Sequence, residues 1–446
     1  MIMRISVLAV LAAVRLAVAQ EPTMSLSLED AVAAGLQQSA VMQASAAGME
    51  AAAAKANEID AARLPSIRME AGYRRFSDVT PFEVRLPGSA SSLVLFPNIP
   101  NTYAFRVALQ QPLFTGFRLQ SNARAAEMIA EAAKADYRNT RSGVILAVTT
   151  AYWTLYQTVQ ARRFVDENVT RLERYVADTQ NLVQAGVATR NDLLRIEVQH
   201  SGARLARIDA DHDVQVAGMS LNTLLGFPLT TGLGLSSIPP DSVAAGESLA
   251  PDTGTTGVRQ DLEAMNLRVS AARENLTAAR AGWWPQVSLS AGVSDNRPNQ
   301  RYTPPRDEFK TNWDVGVGLT WDIWNWLTPA YQSDYAAAQV RQSESLYRQM
   351  QENITLEVAR ARLGVVHAAE KISVAREAVV QAEENVRSLT DKYRAGLATS
   401  SELLDAEVAL LQSNTGLSGA RVEYAVATAR LKNALGTPST SGPAHD

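Results

Sequence analysis

The chain of 446 residues has no cysteine. That absence excludes disulfides, thiolate-bound zinc, iron–sulfur clusters and a thiol nucleophile, and with them an N-terminal lipid anchor carried on a processed cysteine. Past residue 20 there is no run of about 18 apolar residues, so no transmembrane helix is expected in the mature chain. A basic excess is also missing. Lys and Arg number 42 against 46 Asp and Glu, a net charge of −4, which gives no electrostatic footprint for nucleic acid. The four histidines (His200, His212, His367, His445) show no ligand spacing, and no metalloprotease, serine-hydrolase or phosphate-loop motif occurs. No catalytic residue, cofactor or metal is expected.

What is present begins with a leader. Arg4 precedes an almost wholly apolar stretch from Ile5 to Val14, and Ala17-Val18-Ala19 has the small-x-small form of a cleavage site. Residues 1–19 read as a secretory signal peptide, which points to the periplasm or outer membrane of a double-membraned bacterium.

The rest is one unit written twice. Leu224-Leu225-Gly226-Phe227-Pro228 matches Ala434-Leu435-Gly436-Thr437-Pro438, and Ala185-Gly186-Val187-Ala188-Thr189 matches Ala395-Gly396-Leu397-Ala398-Thr399, at one spacing. Leu193, Leu194, Glu197 and Val198 pair likewise with Leu403, Leu404, Glu407 and Val408. The expected layout is a first repeat over 20–228, a connector at 229–257, a second repeat over 258–438 and a tail at 439–446. Each repeat opens with an Ala-rich helix (27–63, then 258–283) ending before Pro65 or Pro285. Strands of strict alternation follow. Ile67, Met69, Ala71 and Tyr73 oppose Ser66, Arg68, Glu70 and Arg74; Val287, Leu289, Ala291 and Val293 oppose Gln286, Ser288, Ser290 and Ser294. After a Pro-rich loop the chain returns through Tyr103, Phe105, Val107 and Leu109, and in the second repeat from Trp313 through Val315, Val317, Leu319 and Trp321 to Ile323. Helices over 117–185 and 327–395 then span roughly 100 Å each. Gly186 and Gly396 reverse the chain into helices over 190–225 and 400–435.

Four amphipathic strands of this length suit a tilted membrane barrel with an apolar outside and a wet inside. Trp283, Trp284, Trp321, Trp324 and Trp326 sit at strand ends, as an interfacial aromatic belt would. Four strands cannot close a barrel, and open edges cannot face lipid. Several chains must therefore build it: two would give eight strands, three would give twelve. A soluble β-sandwich face is the alternative for the strands, and a solid bundle the alternative to a hollow tube for the helices.

The chain resembles the TolC-like outer-membrane factor family. The resemblance rests on Leu26-Ser27-Leu28-Glu29-Asp30-Ala31, the strand entries at Pro65 and Pro285, Gln111-Pro112-Leu113-Phe114-Thr115-Gly116, the two Ala-Gly-x-Ala-Thr turns and the closing Leu-Gly pairs. It implies a mainly α protein with membrane β: long helical hairpins and four amphipathic strands per chain, assembled as a trimer with a 12-strand β-barrel on a 12-helix α-barrel. It further implies an exit duct of an efflux pump or type I secretion system. Its partners would be a periplasmic adaptor, an inner-membrane transporter acting through that adaptor, and outer-membrane lipid. By the same resemblance Gly186, Val187, Thr189, Gly396, Leu397 and Thr399 would contact the adaptor, and Glu402 and Asp405 would ring the periplasmic entrance. Crowding of those carboxylates would raise some of their pKa values. Asp192 and Tyr393 would help latch the entrance, although Ala398 stands where a gate arginine is expected.

Thr399 to Glu402 has a capping-box pattern, and Thr189 to Asp192 a weaker one. Two other readings compete with the duct. A soluble periplasmic adaptor-like coiled-coil protein would carry one helical hairpin rather than two alternating with strand pairs. An exported enzyme or wall-binding protein would need a polar constellation that the sequence does not offer.

Overall fold

The computed structural model describes residues 24–85, 87–88, 92–240 and 259–437. The leader, most of the connector and the tail lie outside them. In chain order the elements are β1 (Met24–Leu26), α1 (Leu28–Gln38), α2 (Ala40–Ala61), β2 (Ser66–Arg75), β3 (Phe82–Arg85), β4 (Ser92–Phe96), β5 (Asn101–Phe114), α3 (Arg118–Gln184), α4 (Arg190–Leu225), β6 (Leu233–Leu235), α5 (Gln260–Ala279), β7 (Gln286–Arg297), β8 (Lys310–Thr320), α6 (Thr328–Arg394) and α7 (Ser400–Ala434). No helix among the described residues is long and apolar enough to cross a membrane. The chain divides into two compact units: one holds residues 43–140 and 256–356, the other holds the remaining segments. Each sequence repeat contributes to both.

The strand-bearing unit is built on an antiparallel sheet in the order β2-β5-β7-β8. β5 and β7 come from different repeats and meet at Val107↔Val293, so the two copies are joined by backbone hydrogen bonds. Alternation then places Ile67, Met69, Val107, Val293, Val315 and Val317 on an exposed apolar side. On the polar side Arg106 reaches Asp314 at 3.2 Å. It passes over Gly292, where a Cβ would lie 2.9 Å from the guanidinium. β2 and β8 each have one ladder partner, leaving both sheet edges unpaired among the described residues. Beside the sheet, α5 packs on the start of α3 through Ala132, Ala135 and Ala264, with Arg138–Glu263 and Arg268–Asp136 ion pairs on its surface.

The other unit carries the far ends of α3 and α6 with all of α4 and α7. Val169, Leu172, Tyr175, Ile196, Tyr393, Leu403 and Leu404 form one shared core; Val365, Ala368, Ile372, Ala420 and Tyr424 form another. β1 and β6 pair in parallel, Leu26↔Leu235. The buried Tyr152 hydroxyl clips that pair to α3, donating to the Leu26 carbonyl and accepting from the Ser237 N–H, both at 3.0 Å.

Three expectations need correction. The helix expected over 27–63 is two helices, broken at Ser39 in an extended conformation (ψ 130°). The Ser39 hydroxyl accepts from the Met42 N–H at 3.4 Å, a serine capping α2 rather than continuing α1. The fourth strand stops at Thr320, not Ile323. The chain from Trp321 to Leu327 turns instead, with positive φ at Trp326 (55°) and Leu327 (59°). Finally, the first Pro-rich loop holds a hairpin of its own, β3 against β4.

Candidate functional site

The hairpin tips gather most of the candidate residues. α3 runs out at Gln184, and Gly186 adopts φ 76°. Its N–H donates to the Val183 carbonyl at 3.1 Å while the Val187 N–H reaches Leu182 at 2.9 Å, the paired bonds of a Schellman stop. At the second tip Gly396 (φ 73°) donates to Tyr393 at 3.0 Å and Leu397 to Lys392 at 2.8 Å. Glycine is required at both places because a left-handed residue ends each helix. The exposed Val187 and Leu397 crown the two turns.

Each tip then starts its return helix with a full capping box. The Thr189 hydroxyl accepts from the Asp192 N–H at 3.2 Å, and the Thr189 N–H donates to the Asp192 carboxylate at 3.1 Å. The Thr399–Glu402 pair repeats this at 3.3 and 2.8 Å. The first box, which looked weaker in sequence, is as complete as the second. These bonds stabilise the ionised acids. Thr189 first and then Ser400 hold Asp192 below its ordinary value, and the Thr399 backbone N–H does the same for Glu402. Within one chain the effect on Glu402 is thus opposite in sign to the crowding expected of a ring.

Glu402 and Asp405 are both exposed on one face of α7, while Leu403, Leu404 and Ala406 are buried on the other. Asp192 and Tyr393 are not hydrogen-bonded to each other. Instead Asp192 accepts from Ser400 at 2.7 Å, tying α4 to α7. The Tyr393 hydroxyl meets Thr179 at 2.7 Å, tying α6 to α3, and burial raises its pKa. Ala398 packs against the tip core. Four residues before it, Arg394 pairs with Asp178 at 3.0 Å.

One cluster escaped sequence reasoning. Glu407 is 1% exposed. Its carboxylate accepts from Arg171 Nε and from the Tyr175 hydroxyl, both at 2.8 Å. Tyr175 also meets Thr390 at 3.0 Å, so the carboxylate ties α7 to α3 and the tyrosine extends the cluster to α6. Burial pushes the Tyr175 phenol up to about 12, so it stays a donor. The sequence signal was there: Glu407 lies four residues after Leu403 and three before Leu410, on the apolar stripe of α7.

In the strand-bearing unit Trp283, Trp284, Trp321, Trp324 and Trp326 are all at least half exposed. Trp324 and Trp326 stack edge-on at 5.8 Å, and Phe114 meets Trp284 edge-on at 6.5 Å. Among the described residues no group of acids and histidines could hold a metal ion.

A chain with both an exposed apolar antiparallel sheet and long helical hairpins falls in one class: outer-membrane channels with membrane β-strands and long helices. The match to the model of that class, "Outer membrane efflux protein", spans residues 32–227 and 257–437, and the chain belongs to this family. The match is split at the connector, once for each repeat. TolC of Escherichia coli (strain K12) is 22% identical over 89% of this chain and 79% of its own. The efflux protein BepC of Brucella suis is 24% identical over 74% of this chain and 71% of its own. Among solved structures, VceC of Vibrio cholerae superposes with a TM-score of 0.76 at 19% identity, over 92% of this chain and 96% of its own. The Neisseria gonorrhoeae channel MtrE, in its open state, gives 0.71 at 18% identity, over 92% and 89%. The protein is accordingly mainly α with membrane β and acts as an outer-membrane exit duct of efflux, a transport rather than a catalytic family.

Proposed function

We propose that the duct is a homotrimer serving a tripartite efflux pump or type I secretion system, passive itself and fed by an inner-membrane transporter through a periplasmic adaptor. The observation that carries assembly from several copies is the sheet, with four strands, an exposed apolar side and two unpaired edges, β2 and β8, among the described residues; the number three comes from the family resemblance. Edges facing lipid must be paired, and the same two edges on neighbouring copies satisfy each other. The apolar side of α4 supports the same conclusion, because Leu194, Val198, Leu205 and Ile208 are exposed along a coiled-coil spacing in one chain.

In this reading the leader exports the chain, and the five tryptophans mark the membrane–water boundary. The turn residues Gly186, Val187, Thr189, Gly396, Leu397 and Thr399 meet the adaptor. Glu402 and Asp405, exposed on α7 just past a tip, form acidic rings in the trimer that favour cations. Asp192 and Tyr393 act as latch residues by fixing the hairpins of each chain to one another.

The test is planar-bilayer conductance of detergent-extracted protein, compared with Glu402→Ala/Asp405→Ala. Cation-selective openings that lose selectivity in the double variant are expected. Unchanged selectivity removes the two acids from the entrance. Protein that extracts without detergent and forms no channel returns the chain to a soluble adaptor.

A further inference from the structure

Where α2 ends and β2 begins, the chain leaves a cleft of about 280 Å³. Its walls are of two kinds. Asp60 and Arg63 line it as an ion pair at 2.7 Å, each about half exposed. Gln120 also lines it, and its side-chain oxygen is buried with no hydrogen-bond partner. A buried acceptor left unpaired in this way calls for a donor. The remaining wall is mostly apolar, with Leu64 and Leu113, 63% and 53% exposed, and Phe114; the buried Thr115 is its polar exception.

The position of the cleft selects the ligand. Leu64 leads within five residues to Ile67 and Met69, on the exposed apolar side of the sheet. Phe114 is packed edge-on to Trp284 and to the exposed Phe117, aromatic company of the kind found at headgroup level. A guanidinium recognises phosphate through parallel N–H bonds. A carboxylate and an amide oxygen beside it recognise an ammonium that still carries N–H groups.

We infer that the cleft formed by Asp60, Arg63 and Gln120 at the strand–helix junction binds a zwitterionic phospholipid with a primary ammonium, a phosphoethanolamine headgroup. Arg63 takes the phosphate. Asp60 and the Gln120 oxygen take the ammonium, and the acyl chains follow Leu64 and Leu113 toward the apolar strands. The inference rests on the membrane reading of the sheet and adds a specific lipid to it.

The experiment is native mass spectrometry of the intact, detergent-extracted assembly, stripped of lipid and then titrated with phosphatidylethanolamine, phosphatidylcholine or phosphatidylglycerol of the same acyl chains. Phosphatidylethanolamine is expected to be retained about tenfold better than phosphatidylcholine, whose trimethylated nitrogen donates no hydrogen bond. Arg63→Ala is expected to reduce retention of all three lipids. Gln120→Leu is expected to weaken the preference for ethanolamine over choline, and Asp60→Ala/Gln120→Leu to abolish it, since both acceptors of the ammonium are then gone. Equal retention of the three lipids by the unaltered protein overturns the inference, as does a preference that survives Asp60→Ala/Gln120→Leu or a cleft closed to lipid by a neighbouring chain. The headgroup comparison needs no variant, so a substitution that impairs folding leaves it intact. Protein that never enters a bilayer fails the membrane reading itself, a distinct result.

Discussion

α3 and α6 are both 67 residues long, and their return helices α4 and α7 are 36 and 35. Both pairs turn through a left-handed glycine and restart on a threonine capping box. Burial separates them. α7 buries fourteen residues and α4 six. Leu404 is 6% exposed where its counterpart Leu194 is 49%. Duplication has kept the backbone of the hairpin, and its sides have been assigned differently. α7 faces its own chain, whereas α4 presents an apolar stripe that its own chain leaves uncovered.

The sharpest contrast lies at Glu197 and Glu407, the same position in the two copies. Glu197 is exposed; Glu407 is buried and satisfied by Arg171 and Tyr175. Glu407→Ala leaves Arg171, whose side chain is only 25% exposed, without its counter-charge. The expected loss is about 3 kcal/mol, the lower end for a broken buried pair because Arg171 keeps some water. Glu197→Ala is expected to change stability by less than about 0.5 kcal/mol. Thermal unfolding of the two variants checks this, and equal midpoints would mean that the buried pair does not distinguish the copies.

A second contrast concerns the turn from strand to long helix. Gly116 (φ 63°) and Trp326 (φ 55°) occupy equivalent places. A Cβ at Gly116 would meet the Ala281 carbonyl oxygen and the Trp284 Cβ, each at 2.8 Å. Trp326 instead holds its side chain 79% exposed. Gly116→Ala should therefore cost about 2 kcal/mol through strain and overlap. Trp326→Gly should relieve strain and change stability by about 1 kcal/mol or less. If Gly116→Ala is as mild as Trp326→Gly, the close approach at Ala281 is not the reason glycine stands in the first copy.

These contrasts also show what could be read in advance. The long helices, their glycine stops and the alternating strands were legible because periodicity and caps are local and occur twice. The break at Ser39 was not, since a single serine inside an Ala-rich run decides between back-bonding and capping only once packing is known. The end of β8 was missed because Trp321 and Ile323 keep the alternation after the ladder has ended. At the tips, family resemblance named Asp192 and Tyr393 as latch residues. Within one chain their hydrogen bonds go to other partners, Asp192 to Ser400 and Tyr393 to Thr179, each more than 200 residues away in sequence, which no local pattern could supply. Glu407 could be placed on the apolar stripe of α7, but its partners Arg171 and Tyr175 come from another helix and no local pattern names them.

The smallest expected difference is between the two capping boxes. Thr189→Ala and Thr399→Ala should each destabilise a helix start by about 1 kcal/mol. Asp192 and Glu402 both titrate below their ordinary values of 3.8 and 4.5. A carboxylate whose folded pKa is depressed contributes stability above its unfolded value and loses it as pH falls through the folded one. Both tips should therefore be held fully at neutral pH and loosen only in acid, below those ordinary values. Ser400 breaks the symmetry, since its hydroxyl bonds Asp192 and not Glu402. Ser400→Ala is thus expected to bring the acid loosening of the 186–197 tip to a higher pH and to leave the Thr399–Glu402 bonds in place. Hydrogen exchange of peptides covering each tip, corrected for intrinsic rates across pH 3–7, measures this directly. A shift of equal size at both tips would show that Ser400 acts through α7 as a whole and not through its bond to Asp192.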